Sequence, residues 1–187
     1  MSTRNLHTLL NPASVAVVGA SVRPDSVGAT LWRNLRAGSY RGPVYAVNPR
    51  HRRLDGQSVY PSVDALPAVP ELALVCTPAA TVPEIVQALG RRGTRAVALL
   101  SDGLDAAQRQ AVIDTARRQQ MSLLGPGSVG LLSPQVGLNA SIAHSDAAAG
   151  ELAFVSQSGS LVSAVLDFAR ARSIGFSHVV ALGRHGL

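Results

Sequence analysis

The stretch SVAVVGASVRPDSVG, residues 14–28, decides the fold. Its first half is an unbroken apolar, β-branched run, as a strand buried on both faces of a parallel sheet requires. Its second half is a glycine-bearing turn that ends where a helical pattern begins, near residue 27. In a doubly wound sheet the carboxyl end of the first strand faces the ligand crevice. The next helix points its N-terminal amides there, so phosphate binding is the expected use. Gly19 is expected to supply the tight turn, Ser21 a hydroxyl, and Gly28 a close backbone approach. The spacing is not G-x-G-x-x-G, and the loop is wider than a nicotinamide fingerprint. Glycines that merely turn the chain would leave the same trace.

Outward from this stretch, ELALVC (71–76) and TRAVALL (94–100) read as further strands buried on both faces, and PVYAV (43–47) and MSLL (121–124) as two more. Helical patterns lie near 27–38, 78–92 and 105–120, with Asp105 placed to cap the last of them. The order β-α-β-β-α-β-α-β predicts an α/β, Rossmann-like, doubly wound parallel sheet. The stretch 48–70 is rich in Pro and polar residues, and reads as a functional loop with at most a short helix near Val63. At Gly150 the pattern restarts: GELAFVSQSGSLVSAVLDFARARSIGFSHVVALG repeats strand, turn, helix, strand. Two parts are therefore expected, a Rossmann-like domain over 1–145 and an incomplete βαβ unit of a second domain over 146–187. Such a unit cannot bury both faces alone, so the chain is expected to be a piece of a longer one, its tail packing on a second copy or staying loosely ordered.

Composition narrows the function. Of 187 residues 47% are hydrophobic and 15% charged, which excludes a disordered chain. No apolar run approaches the roughly 18 residues of a membrane helix, and the first twenty residues lack an export pattern, so a cytoplasmic protein is expected. The single cysteine, Cys76, fits a reducing compartment. The net charge of +6 would raise nucleic acid as a partner, but all 17 basic residues are arginine and only 4% of the chain is aromatic. A chain without lysine has no P-loop lysine and no Schiff-base chemistry. His7, His51, His144, His178 and His185 share no metal-ligand spacing, and no nucleophile-base arrangement stands out, so neither a metal nor a catalytic residue is assigned.

The candidate ligand residues sit at strand ends. Strand 2 ends in YAVNPRHRR (45–53): where an NAD site wants an acid for the ribose hydroxyl, Asn48 stands instead, followed by Arg50, Arg52 and Arg53. This suits a ribose carrying a phosphate, as in coenzyme A or NADP, although a solvated basic turn would look alike. Thr77 and Pro78 follow strand 3, where Pro78 is equally an ordinary helix-start signal. Ser101, Asp102 and Gly103 follow strand 4. After strand 5, LLGPGSVGLLSP (123–134) places Gly125 and Pro126 in a glycine-rich stretch that could wall an extended ligand or simply reverse the chain. In the second unit Ser156, Ser158 and Gly159 form a strand-to-helix turn suited to an anion, or to capping alone.

Taken in order, VAVVGAS…G, YAVNP, CTPAA, SDG, LLGP and GELAFVSQSGSL resemble the CoA-binding domain of the NDP-forming acyl-CoA synthetases, the succinyl-CoA ligase α-subunit superfamily. The resemblance spans about 10–184. The stretches GLNASIAH (137–144) and SQSGSLVSAVLDFARARSIGFSHVVALG (156–183) are most similar to large bacterial acetate-CoA-ligase-like proteins, some of which carry a fused acetyltransferase domain and act as protein lysine acetyltransferases. The resemblance implies coenzyme A or an acyl-CoA as ligand. Gly19, Ala20 and Ser21 would hold its phosphates, and Asn48, Pro49 and neighbouring basic residues its 3′-phosphate. Thr77, Pro78, Ser101, Asp102 and Gly103 would line the adenine and pantetheine path. Gly125-Pro126-Gly127-Ser128 departs from the family's usual Gly-Pro-Asn-Cys or Gly-Pro-Asn-Ser, losing an amide side chain near the thiol. The resemblance also implies an ATP-grasp domain or subunit as partner, and places the family's phosphorylated histidine beyond Leu187. The isolated chain is thus expected to be an inactive piece of an acid–CoA ligase. An NADP-dependent oxidoreductase domain and a free-standing CoA sensor are the rival expectations.

Overall fold

The computed structural model describes residues 5–183. After the short helix α1 (Leu6–Leu10), the first half of the chain builds a seven-stranded sheet from β1 (Val15–Val18), β2 (Val44–Val47), β3 (Arg53–Leu54), β4 (Gln57–Tyr60), β5 (Leu72–Val75), β6 (Ala96–Leu99) and β7 (Ser122–Leu124). Helix α2 (Val27–Ala37) joins β1 to β2, α3 (Val82–Arg92) joins β5 to β6, and α4 (Ala106–Arg118) joins β6 to β7. The sheet order is β3-β4-β2-β1-β5-β6-β7, parallel throughout except for the small β3–β4 hairpin. Counting parallel strands by appearance gives 3-2-1-4-5-6, the order that opens a ligand crevice between β1 and β5.

Every residue of β1, β5 and β6 is buried, and strand alternation divides them between two cores. Val15, Val17, Leu72, Leu74, Ala96 and Ala98 pack toward Leu31, Trp32 and Leu35 of α2. Ala16, Val18, Ala73, Val75, Val97 and Leu99 pack toward Val82, Val86 and Leu89 of α3 and Val112 and Ala116 of α4. The helices start where the chain offers caps: the Ser26 hydroxyl accepts from the Ala29 amide at 3.2 Å, and Asp105 and Gln108 form a reciprocal capping box.

Two expectations change. The 48–70 stretch is not only a loop with a helical turn at Val63–Ala65: it also holds β3 and β4, and β4 pairs in parallel with β2, Ala46 opposite Val59. Only Leu54 and Val59 of that hairpin are buried, so its apolar signal is two residues long. The tail does not lack further strands either. β10 (Ala149–Ser156) pairs in parallel with β11 (Phe176–Ala181), which pairs antiparallel with β8 (Gly130–Ser133), itself paired with β9 (Leu138–Ser141). The second sheet thus takes two strands from each side of residues 145/146. Between β10 and β11 runs α5 (Gly159–Ala171), whose Val162, Leu166 and Ala169 cover Leu132, Phe176 and Val179 on one sheet face. On the other face Leu131, Leu138, Ala140 and Val180 join the core beneath α2. The edge strand β10 remains open, with Leu152 and Val155 exposed.

Candidate functional site

The carboxyl ends of β1, β2, β5 and β6 open into a cleft of about 1220 Å³. Its floor is set by a backbone contact. Gly19 turns the chain at φ +102°, and Gly28, in the first turn of α2, lies so close to the Gly19 carbonyl oxygen that a side chain at 28 would collide with it. This contact brings the N-terminus of α2 onto the end of β1. Among the described residues the amides of Val27 and Gly28, both lining the cleft, find no acceptor. Cys76 lies beneath them with its thiol on the Val18 carbonyl at 3.3 Å, and burial pushes that thiol up to about 12. Its sulfur packs beside Gly19 and Gly28 under the loop.

Of the residues singled out from sequence, Gly19, Ser21, Gly28, Asn48, Pro49, Arg50, Thr77, Pro78, Ser101 and Asp102 all line this cleft. Several of their polar atoms are already committed. The Asn48 amide donates to the Ala20 carbonyl at 2.8 Å and its carbonyl accepts from the Arg50 amide at 2.9 Å, tying the end of β2 to the loop after β1. The Ser21 hydroxyl accepts from the Arg23 amide, and the buried Ser101 hydroxyl donates to the Thr77 carbonyl at 2.6 Å, joining the ends of β5 and β6. These side chains therefore shape the loops as well as lining the cleft.

The remaining candidates lie elsewhere. Ala20 is buried behind the loop. Arg52 and Arg53 are exposed at the β3–β4 hairpin, and Gly103 sits just outside the lining with φ +78°. Pro126 lines a separate hollow of about 310 Å³ against α4, and Gly125 packs on the Leu99 carbonyl. Ser156, Ser158 and Gly159 form the turn into α5, with the Ser158 hydroxyl capping the Leu161 amide at 3.3 Å and Gly159 against Val129. They take no part in the cleft.

Sequence reasoning missed Arg23, Arg91 and the wall Pro61–Asp64. Arg23 was legible, since it stands inside the phosphate-loop stretch. Arg91 was not, being one more arginine on a helix. The guanidiniums of Arg23, Arg50 and Arg91 make no hydrogen bond or ion pair with other described residues, although Asp25, Asp64, Glu84 and Asp102 also line the cleft. Uncommitted cations beside open helix amides suit an anionic ligand. Among the described residues no group of His, Cys, Asp and Glu could hold a metal ion, and no helix is long and apolar enough to cross a membrane.

Residues 13–134 match the family described as CoA binding domain. The chain belongs to that family. Behind this CoA-binding domain, residues 149–185 match the succinyl-CoA ligase like flavodoxin domain. Acetate–CoA ligase (ADP-forming) I of Archaeoglobus fulgidus is 35% identical over 188 residues, covering 97% of this chain and 27% of that protein. The alpha subunit of acetate–CoA ligase (ADP-forming) I of Pyrococcus furiosus is 34% identical, covering 96% of this chain and 41% of the subunit. Among solved structures, the apo form of the dinucleotide-forming acetyl-coenzyme A synthetase 1 of Ca. Korarchaeum cryptofilum superposes with a TM-score of 0.91 at 31% identity, over 96% of this chain and 40% of that one. The chain thus spans between about a quarter and two fifths of these relatives. The CoA-binding domain is homologous to the corresponding part of ADP-forming acetyl-CoA synthetases, and an oxidoreductase reading is not favoured.

Proposed function

We propose that the cleft holds coenzyme A or an acyl-CoA, and that the chain is the CoA-binding part of an ADP-forming acid–CoA ligase. The diphosphate lies over the Gly19–Gly28 contact, against the Val27 and Gly28 amides and Arg23. The adenosine with its 3′-phosphate lies toward Asn48, Pro49 and Arg50, and the pantetheine arm runs past Thr77, Ser101 and Asp102 toward Gly125 and Pro126. The observation that carries this reading is the end of β2, where Arg50, unpaired among the described residues, lines the cleft at the place an NAD site gives to a carboxylate. Ligation requires an ATP-grasp domain or subunit, and the proposed protein partners are that unit or a second copy of the chain. The setting is the cytoplasm, in keeping with a lone cysteine held reduced.

Calorimetric titration with CoA, acetyl-CoA, NADPH and ATP tests the ligand. CoA and acetyl-CoA should bind and NADPH should not; preference for NADPH would sink the reading. Arg50→Ala should weaken CoA binding about tenfold or more, because one charge-assisted contact to phosphate is worth ~1.5–3 kcal/mol. Dephospho-CoA should bind both proteins alike.

A further inference from the structure

The segment from Pro61 to Pro70 links β4 to β5 and forms the wall of the cleft opposite α3. It carries three prolines and, apart from the turn at Val63–Ala65, no regular structure. Its backbone hydrogen bonds to itself are local, Ala65 to Ser62 and Leu66 to Val63. Among the described residues one side chain hydrogen-bonds it to the rest of the fold: Arg92, in the last turn of α3, donates to the Asp64 carbonyl at 2.8 Å and to the Leu66 carbonyl at 2.9 Å. Its Nε is buried and has no partner among the described residues, so this end of the side chain has given up water in making the two-pronged contact. Val63 and Leu66, both buried, dock beside it on Val82, Val86 and Leu89. The neighbouring Arg91 faces the cleft while Arg92 is spent on the wall.

We infer that Arg92 is a positioning residue, which holds the Pro61–Asp64 wall at a fixed distance from Ile85 and Ala88 of α3 and so sets the slot for the adenosine half of the ligand. The inference rests on the coenzyme A reading given above. A proline-rich segment with two apolar anchors and no hydrogen-bonded tie can slide along α3, and a flat base gains from a slot only when both walls are in place before it arrives. A planar guanidinium reaching two carbonyls fixes direction as well as distance, which a single ammonium cannot do. Arg92 touches no ligand in this arrangement and acts through the wall alone.

The test compares the full chain with its Arg92→Met and Arg92→Lys variants in titrations of CoA, with adenosine 3′,5′-bisphosphate and 4′-phosphopantetheine as competitors that represent the two halves of the ligand. Arg92→Met should weaken CoA and the adenosine bisphosphate about tenfold and leave 4′-phosphopantetheine within about twofold, with Arg92→Lys recovering part of the loss. Equal weakening of both halves would reduce Arg92 to a stability residue, and unchanged CoA affinity would remove it altogether. Should Arg92→Met fail to fold, Arg92→Lys carries the same comparison. A wild-type chain that does not bind CoA would overturn the underlying reading instead, and with it this assignment.

Discussion

Gly28 is the position at which one methyl group should cost most. Alanine would favour the helix by roughly 0.5–1 kcal/mol through backbone entropy, but its Cβ would meet the Gly19 carbonyl, which is backbone and cannot rotate away. Overpacking of this kind costs about 3 kcal/mol. Gly28→Ala should therefore lower stability by a net ~2 kcal/mol in urea denaturation and, by lifting α2 off β1, weaken CoA binding. Unchanged values on both counts would show that the contact is slack. Two acids pushed up by desolvation define a second expectation at this scale. Burial pushes Cys76 up to about 12 from a usual 9.0, and burial with the Glu71 carboxylate pushes Tyr40 to about 12 from 10.0. In both, the folded state keeps its proton after the unfolded chain has released it, so stability is full below pH 9 and is lost as pH rises toward 12. Cys76→Ala should flatten the lower part of that decline in thermal melts taken from pH 7 to 11. The same burial should keep the thiol silent to an aromatic disulfide reagent at pH 8 until denaturant is added.

Single elements show where sequence reading succeeds and where it stops. The strands at Val15, Leu72 and Ala96 were legible because a strand buried on both faces writes a continuous apolar run, and α4 because Asp105 announces its start. Asp105→Ala should cost ~1 kcal/mol by removing that cap, with no effect on ligand affinity; a null result in chemical denaturation would mean the first turn is held by packing alone. The β3–β4 hairpin was not legible, since Leu54 and Val59 are its only buried side chains and period two needs more repeats to be seen. β8 and β9 were hidden for another reason: GLLS follows a glycine-rich turn and reads as part of it, while the fold uses it as an inner strand of a second sheet with β9 at that sheet's edge. Strand ends located most of the cleft, because chain topology alone puts them there. The Pro61–Asp64 wall and Arg91 depend on how a linker and a helix happen to meet, which no local pattern encodes.

At the scale of the whole molecule, the two sheets share a seam. Leu131, Leu138 and Ala140 of the second sheet belong to the core under α2, the Asn34 amide of α2 donates to the carbonyls of Ser141 and Ala143, and the Ser128 hydroxyl donates to the Ala181 carbonyl. Gly183 packs directly on Pro126, so the end of β11 braces the glycine-rich turn beside the proposed pantetheine path. A chain ended at Ala148 would lose β10, α5 and β11 and leave the Leu132 face of the β8–β9 hairpin uncovered. The hairpin's other face would still be held under α2, and every residue lining the cleft would remain. The shortened chain should therefore fold, melt several degrees lower, and bind adenosine 3′,5′-bisphosphate as the full chain does. Its affinity for CoA should fall a few-fold, because the Gly125–Ser128 turn loses its brace while the phosphate loop does not. Calorimetry on both chains with both ligands decides the point: loss of the adenosine bisphosphate as well would mean that the second sheet supports the whole cleft, and full retention of CoA affinity would mean that the ligand does not reach the turn at all.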